Sequence, residues 1–289
     1  MNGPQTVWLP DGRLHLNHGP IDLIVEAFGE AEEVAAAFRQ AIARFETVLD
    51  ELVAELPALR RPSSATPRRF DGRMAASMEA AACRLAAQDA FVTPMAAVAG
   101  AVADEVLAAL VVRRRLDRAY VNDGGDTAFF LAPGRSITAA IAGTTNGIPD
   151  RVTIRHGDPV RGLATSGWRG RSHSLGIADA VTVLARNAAE ADAAATLIAN
   201  AVDLPGSPKI ERRPARELAP DSDLGERLVT VGVAALSRSE VDDALRRGFA
   251  LAERYRRQGL IEAAALFLAG QAMASGTMPS ALEDGGLAA

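Results

Sequence analysis

Between residues 119 and 184 the chain offers six short strand-like runs in succession, at 119–122, 127–131, 137–142, 151–154, 162–165 and 178–184. Strands joined by short links pair as antiparallel neighbours, because parallel ones need crossovers of about a dozen residues or more. Asp123-Gly124-Gly125, Thr145-Asn146-Gly147 and Gly157-Asp158-Pro159 supply the turns. The flanks follow a different period. Val34, Phe38, Ala41, Phe45, Leu49, Leu52 and Leu56 mark one stripe of a helix predicted over 30–56 and ended by Pro57. Further helices are predicted over 74–88, from a Thr93 cap with Pro94 at its first position to about 110, over 188–202, over 237–258 and over 260–273. The capping box Ser237-Arg238-Ser239-Glu240 opens the helix over 237–258. Two short strands, 14–16 and 21–26, flank Asn17-His18-Gly19-Pro20. The class is α+β, with a mainly antiparallel central sheet flanked by helices.

One domain over 1–289 accommodates these elements. Residues 57–73 and 204–220, rich in proline, read as loop excursions, and 275–289 as a loose tail. Of the 289 residues 48% are hydrophobic but only 4% aromatic, and much of the apolar content is alanine. Alanine favours helix and close packing, so tightly pressed helices are expected, and Gly100 marks a place where something must approach closely. A homodimer face built from these helices is a further expectation.

Charge and cysteine content exclude several classes. The net charge is −5 with signs interspersed, and the short run Arg113-Arg114-Arg115 suits a helix end, so nucleic acid is not an expected partner. Cys83 is the one cysteine and can form neither an internal disulfide nor a thiolate cluster. His15, His18, His156 and His173 lack metal-ligand spacing. No basic start followed by an apolar run opens the chain, and no uncharged segment reaches the ~20 residues of a membrane helix. The expectation is a cytoplasmic protein with no membrane partner.

Three segments could carry chemistry. Asn122-Asp123-Gly124-Gly125-Asp126 follows a strand; its glycines let backbone amides face phosphate, and they equally suit a plain hairpin turn. Thr165-Ser166-Gly167 ends another strand, where hydroxyls bind phosphate or cap the turn; no nucleophile elbow surrounds Ser166, and His173 is its nearest histidine. Asp192 and Thr196 lie one helical turn apart and offer hard oxygen ligands, or else a first-turn acid and a back-bonding threonine.

In order, these segments resemble the ApbE-like superfamily of FAD-dependent flavin transferases over about 93–203: Asn122 to Asp126, then Thr165-Ser166-Gly167, a strand at 180–184, and Ala191-Asp192-Ala193-Ala194-Ala195-Thr196. The outer segments look closer to an uncharacterised, cytoplasmic branch of it. The resemblance implies an ApbE-like, T-fold-type architecture, magnesium, and FAD or FMN as ligand or substrate. It implies metal ligation by Asp192, Thr196 and a backbone carbonyl near Ala96. Asn122, Gly124, Gly125, Asp126, Thr165, Ser166 and Gly167 would bind the nucleotide. The family's lysine falls about where Ala99 stands, and residues 170–176 replace its His-x-x-Asp-Pro-x-Thr-Gly segment, so Arg169 or Arg171 becomes the candidate cation. The implied activity is FMN transfer from FAD to a threonine or serine of an acceptor protein. The other reading is a binding or accessory protein for a different phosphorylated ligand, or a partner of a cytoplasmic redox enzyme.

Overall fold

The computed structural model describes residues 3–87, 91–141 and 151–278. In chain order they form β1 (Gln5–Trp8), β2 (Leu14–His18), β3 (Ile21–Gly29), α1 (Ala31–Leu59), α2 (Arg73–Ala86), a 3-10 turn (Pro94–Ala97) and α3 (Val98–Val111). There follow β4 (Leu116–Asp123), β5 (Asp126–Leu131), β6 (Ser136–Ala140), β7 (Arg151–Arg155), β8 (Gly162–Ser166), β9 (Ala180–Ala185) and α4 (Ala188–Ala201). The chain closes with β10 (Ile210–Pro214), α5 (Ala215–Leu218), β11 (Leu228–Val233), α6 (Arg238–Arg257), β12 (Ala263–Leu268) and β13 (Gln271–Ser275).

Nine strands make one sheet in the order β1-β2-β3-β4-β5-β8-β9-β12-β13, and each of its pairings is antiparallel. Alternation sorts its side chains. On β4, Leu116, Ala119, Val121 and Asp123 point to one buried face, where α1, α3 and α4 pack with Phe45, Val102, Val106 and Ile198 in a common core. The opposite face carries Phe129, Leu163, Leu184 and Phe267, covered by Val152 and Ile154 of the separate β6–β7 pair. The α+β class and the antiparallel sheet are as the strand run dictated.

Several expectations change. Pro57 does not end the first helix, which continues to Leu59. The carbonyl that proline leaves unbonded, four residues back at Val53, belongs to an exposed residue and can take water. Residues 260–273 are not a helix but the hairpin β12–β13. Every residue of β12 is buried, so no alternation betrayed it. Within 204–220 lie β10 and α5, and β10 pairs with β11, which sequence reasoning missed. The 57–73 excursion is pinned: Glu79, 1% exposed, accepts bonds from the Arg68 backbone and guanidinium and from the Ser63 hydroxyl. Thr93 does not cap by its side chain; its hydroxyl donates to Asp223 instead. The Ser237 capping box forms as predicted. The turn at 145–147, the end of the helix predicted to 88 and the tail beyond 278 lie outside the described residues.

Segment Pro94–Val111 is long and apolar enough in composition to cross a membrane. Its Val102, Val106 and Leu110 are fully buried in the core, and its two acids are engaged, Glu105 with Arg44 at 2.9 Å and Asp104 as described below. The alanines of α4 are likewise consumed inside the chain, Ala191, Ala193 and Ala195 being fully buried.

Candidate functional site

Helices α3 and α4 meet at their N-terminal ends. A Cβ at Gly100 would stand 2.2 Å from the carbonyl oxygen of Ala188, so only glycine permits this crossing. Around the contact each helix caps the other. Asp192 of α4 accepts the Gly100 N–H at 3.1 Å, and Asp104 of α3 accepts those of Ala188 at 3.0 Å and Ala189 at 2.9 Å. First-turn N–H groups have no partner within their own helix; here a carboxylate one turn along the neighbouring helix supplies it. The sequence offered Asp192 as a first-turn acid of its own helix, but its partner is the other helix. Two positive helix ends converge as a result.

Burial pushes the Asp104 carboxyl up to about 6, against the two N–H bonds that favour its charged form. The native state therefore holds this proton more tightly than the unfolded chain, where an aspartate titrates near ~3.9. Its contribution to stability is complete below that pH and is lost as pH rises through about 6. Denaturant melts of Asp104→Asn should show a shallower downward slope in stability between about pH 4 and 6 than the parent, since one of several raised carboxyls is removed. Identical slopes would refute the assignment.

Beside the crossing lies a cavity of about 580 Å³, and Ala96, Asp192 and Thr196 all line it. The three residues that the resemblance offers as metal ligands are thus brought together. Asp126 joins them; its Oδ1 accepts the Thr165 N–H at 3.1 Å, tying β5 to β8. Asp123 faces Asp126 across the β4–β5 turn. Burial raises the carboxyls of Asp123 and Asp126 to about 7, and Asp126 feels the charge of Asp123 as well. Burial, and next the charge of Asp126, pushes Asp192 well above the carboxylate range. Among the described residues no three His, Cys, Asp or Glu side chains converge into a metal cage, and Asp192 forms no ion pair. One cation reaches the cluster: Arg171, whose guanidinium lies 3.8 Å from Asp123 and against Gly124, where a Cβ would meet its Nη2 at 2.2 Å.

The residues read as nucleotide-binding do not share that cavity. Asn122, Gly124, Gly125, Thr165, Ser166 and Gly167 line an adjoining one of about 610 Å³, and only Asp126 faces the metal candidates. The division follows the pleat, since Asp123 and Asp126 project to the helix side while Asn122 and Thr127 project to the hairpin side. The Gly124-Gly125 turn is where the two faces meet, with Gly124 at φ 63° and Gly125 at φ 126°. Two candidate side chains are already bonded within the sheet: the Asn122 amide donates to Thr127 at 2.8 Å, and Thr165 shares a 2.9 Å bond with Thr182. Ser166 and His173 line different cavities and form no catalytic pair. Arg169 belongs to the second cavity, stacked on Trp168 at 4.6 Å and paired with Asp179 at 3.0 Å. Sequence reasoning passed over Asp123, although its alternation with Ala119 and Val121 already put it on the inward face.

Set against known proteins, residues 6–274 match the family described as AbpE bacteria. The chain belongs to that family. Its place in the ApbE-like superfamily, read above from the segments between Asn122 and Thr196, is thereby established. A UPF0280 protein of Methanothrix thermoacetophila is 39% identical over 115 residues, 38% of this chain and 46% of that protein. Another, from Methanopyrus kandleri, is 33% identical over 175 residues, 59% of this chain and 67% of that protein. The matched region thus spans about half the length of the first of these and two thirds of the second. The apo crystal structure of Pseudomonas stutzeri flavinyl transferase ApbE covers 95% of both chains, with a TM-score of 0.43 and 13% identity. Identity that low says nothing about activity.

Proposed function

We propose that this AbpE-family protein binds a flavin dinucleotide together with magnesium, and transfers its FMN half to a threonine or serine of an acceptor protein. The observation that carries the reading is the convergence of Ala96, Asp192 and Thr196 on one cavity, beside the Gly124-Gly125 turn. The donor set fits the ion. Magnesium is bound by one or two carboxylates, other hard oxygens and substrate phosphates rather than by an all-protein cage, and among the described residues these buried carboxyls have one cation beside them, the largely exposed Arg171 at Asp123. Bound there, magnesium would neutralise charge on phosphate oxygens.

The chain's own residues would do the rest. The converging N-termini of α3 and α4 favour an anion, and Arg171 adds a full positive charge at the cavity mouth. Gly125, where a Cβ would meet nothing within 4 Å, leaves room for phosphate between the two cavities, so that one half of a dinucleotide enters each. In the transfer, the acceptor hydroxyl oxygen bonds to the FMN phosphorus and gives up its proton to solvent, the P–O bond of the pyrophosphate bridge breaks, and AMP leaves with the bridging oxygen.

Calorimetric titration with FAD, with and without magnesium, tests this reading. Binding should require magnesium and vanish in Asp192→Asn. Because Asp192 also caps α3, Thr196→Val is the companion variant that leaves the cap intact, and it should weaken binding as well. No binding of FAD in any condition would overturn the proposal. Binding without AMP release, in the presence of an acceptor, would reduce the protein to a flavin carrier.

A further inference from the structure

The β6–β7 pair covers only part of the outer sheet face. It packs on Phe129, Leu163, Leu184 and Phe267, while Ile24, Phe28 and Tyr120, on the same face of β3 and β4, are left half-buried. A trough of about 580 Å³ lies over these residues, walled by Ser136, Ile137 and Thr138 of β6. β6 has β7 as its one strand partner among the described residues, and no described strand pairs with its other backbone edge. The register shows which groups lie on it. His156 donates its N–H to the Arg135 carbonyl, which puts 135, 137 and 139 toward β7 and turns 136 and 138 outward. The Arg118 guanidinium confirms the direction by reaching the Ser136 carbonyl at 3.4 Å from the trough side.

Arg118 also settles what charge would be welcome. It stacks on Phe28 at 4.1 Å and has no carboxylate partner among the described residues. Glu26, which lines the same trough, is instead engaged by Tyr120. Arg13 is matched by Asp11. One unmatched guanidinium therefore sits beside a strand edge that no described strand pairs with, above a half-covered apolar floor.

We infer that an extended, acidic peptide segment of a partner protein adds to β6 as a third strand, placing a carboxylate over Arg118 and its alternate side chains on Ile24, Phe28 and Tyr120. Strand addition of this kind draws affinity from main-chain bonds and selectivity from alternate side chains. It would extend the small sheet across the rest of the large one. The trough shares Asn122, Thr127 and Ala139 with the cavity at the Gly124-Gly125 turn. Its occupant therefore runs toward the nucleotide site, and its role as flavin acceptor, though not its binding, rests on the function proposed above.

The test is a phage-displayed library of random decapeptides, panned on the full chain without FAD or magnesium. Its outcome is thus independent of the flavin reading. Recovered peptides should be acidic and free of proline. Synthetic copies should bind about tenfold more weakly to Arg118→Gln, the size of one lost charge-assisted bond. Thr138→Pro, which removes an outward N–H and no backbone bond to β7, though also the Thr138–Thr153 hydroxyl bond that Thr138→Val removes alone, should weaken them similarly, while Thr138→Val and Thr196→Val leave them unchanged. No enrichment, peptides lacking acidic residues, or peptides held equally by both trough variants would overturn the inference. So would a wild-type dimer, on sedimentation, that Thr138→Pro converts to monomer, since the occupant would then be a second copy of this chain.

Discussion

Gly100→Val should cost the protein about 3 to 5 kcal/mol, the upper range for forcing atoms into a packed interior. The added side chain has nowhere to go. Its Cβ alone would stand 2.2 Å from the Ala188 carbonyl oxygen, and that neighbour is helix backbone rather than a movable side-chain end. Separating the helices also strands the N–H groups that Asp192 and Asp104 now satisfy, and unpaired buried donors add roughly 1–3 kcal/mol each. Urea melts monitored by circular dichroism measure the loss. A midpoint close to that of the parent would mean that α3 and α4 can part without penalty, and the reciprocal caps would lose their structural importance. Gly100→Ala should fall in the same direction with a smaller loss.

The second large effect concerns ligand rather than stability. Arg171→Ala should weaken FAD binding on the order of tenfold to a hundredfold, as loss of a hydrogen bond to a charged group does, while Arg169→Ala should weaken it less, its guanidinium being held by Trp168 and Asp179. The two arginines are two residues apart in sequence but serve different cavities. Arg171 lies against Gly124 and opposite the buried carboxyls; Arg169 is spent on Trp168 and Asp179. Arg171 is largely exposed, so its removal should hardly alter the melting midpoint, which separates lost binding from lost fold. Arg171→Lys should recover part of the affinity. Wild-type affinity in Arg171→Ala would discard it as the phosphate-facing cation.

What could be read in advance depended on how each element is buried. The strands from β4 to β9 were legible because turn residues punctuate them, and α1 and α6 because one face is apolar and the other charged. β12 reads Ala263-Ala264-Ala265-Leu266-Phe267-Leu268, good helix-formers with no polar residue, and only its two buried faces explain why it is a strand. β10 and β11 were hidden for the opposite reason, since they form a small sheet of their own beside proline-rich connections. At the site, spacing along α4 put Asp192 and Thr196 on one face correctly. It could not show that Asp126 parts company with Asn122, because that follows from the pleat of a hairpin whose register the sequence left open.

The place of β12 in the sheet has a consequence for how the molecule is made. β9 is buried along its whole length, between β8 and β12, yet about eighty residues separate it from the partner that closes its second edge. During synthesis from the N-terminus, β9 and the helix bearing Asp192 and Thr196 leave the ribosome with that edge open and apolar. The ligand cavity can be lined early, but it is not backed until the closing hairpin arrives. A chain released between the two strands would expose a strand edge that invites pairing with its neighbours.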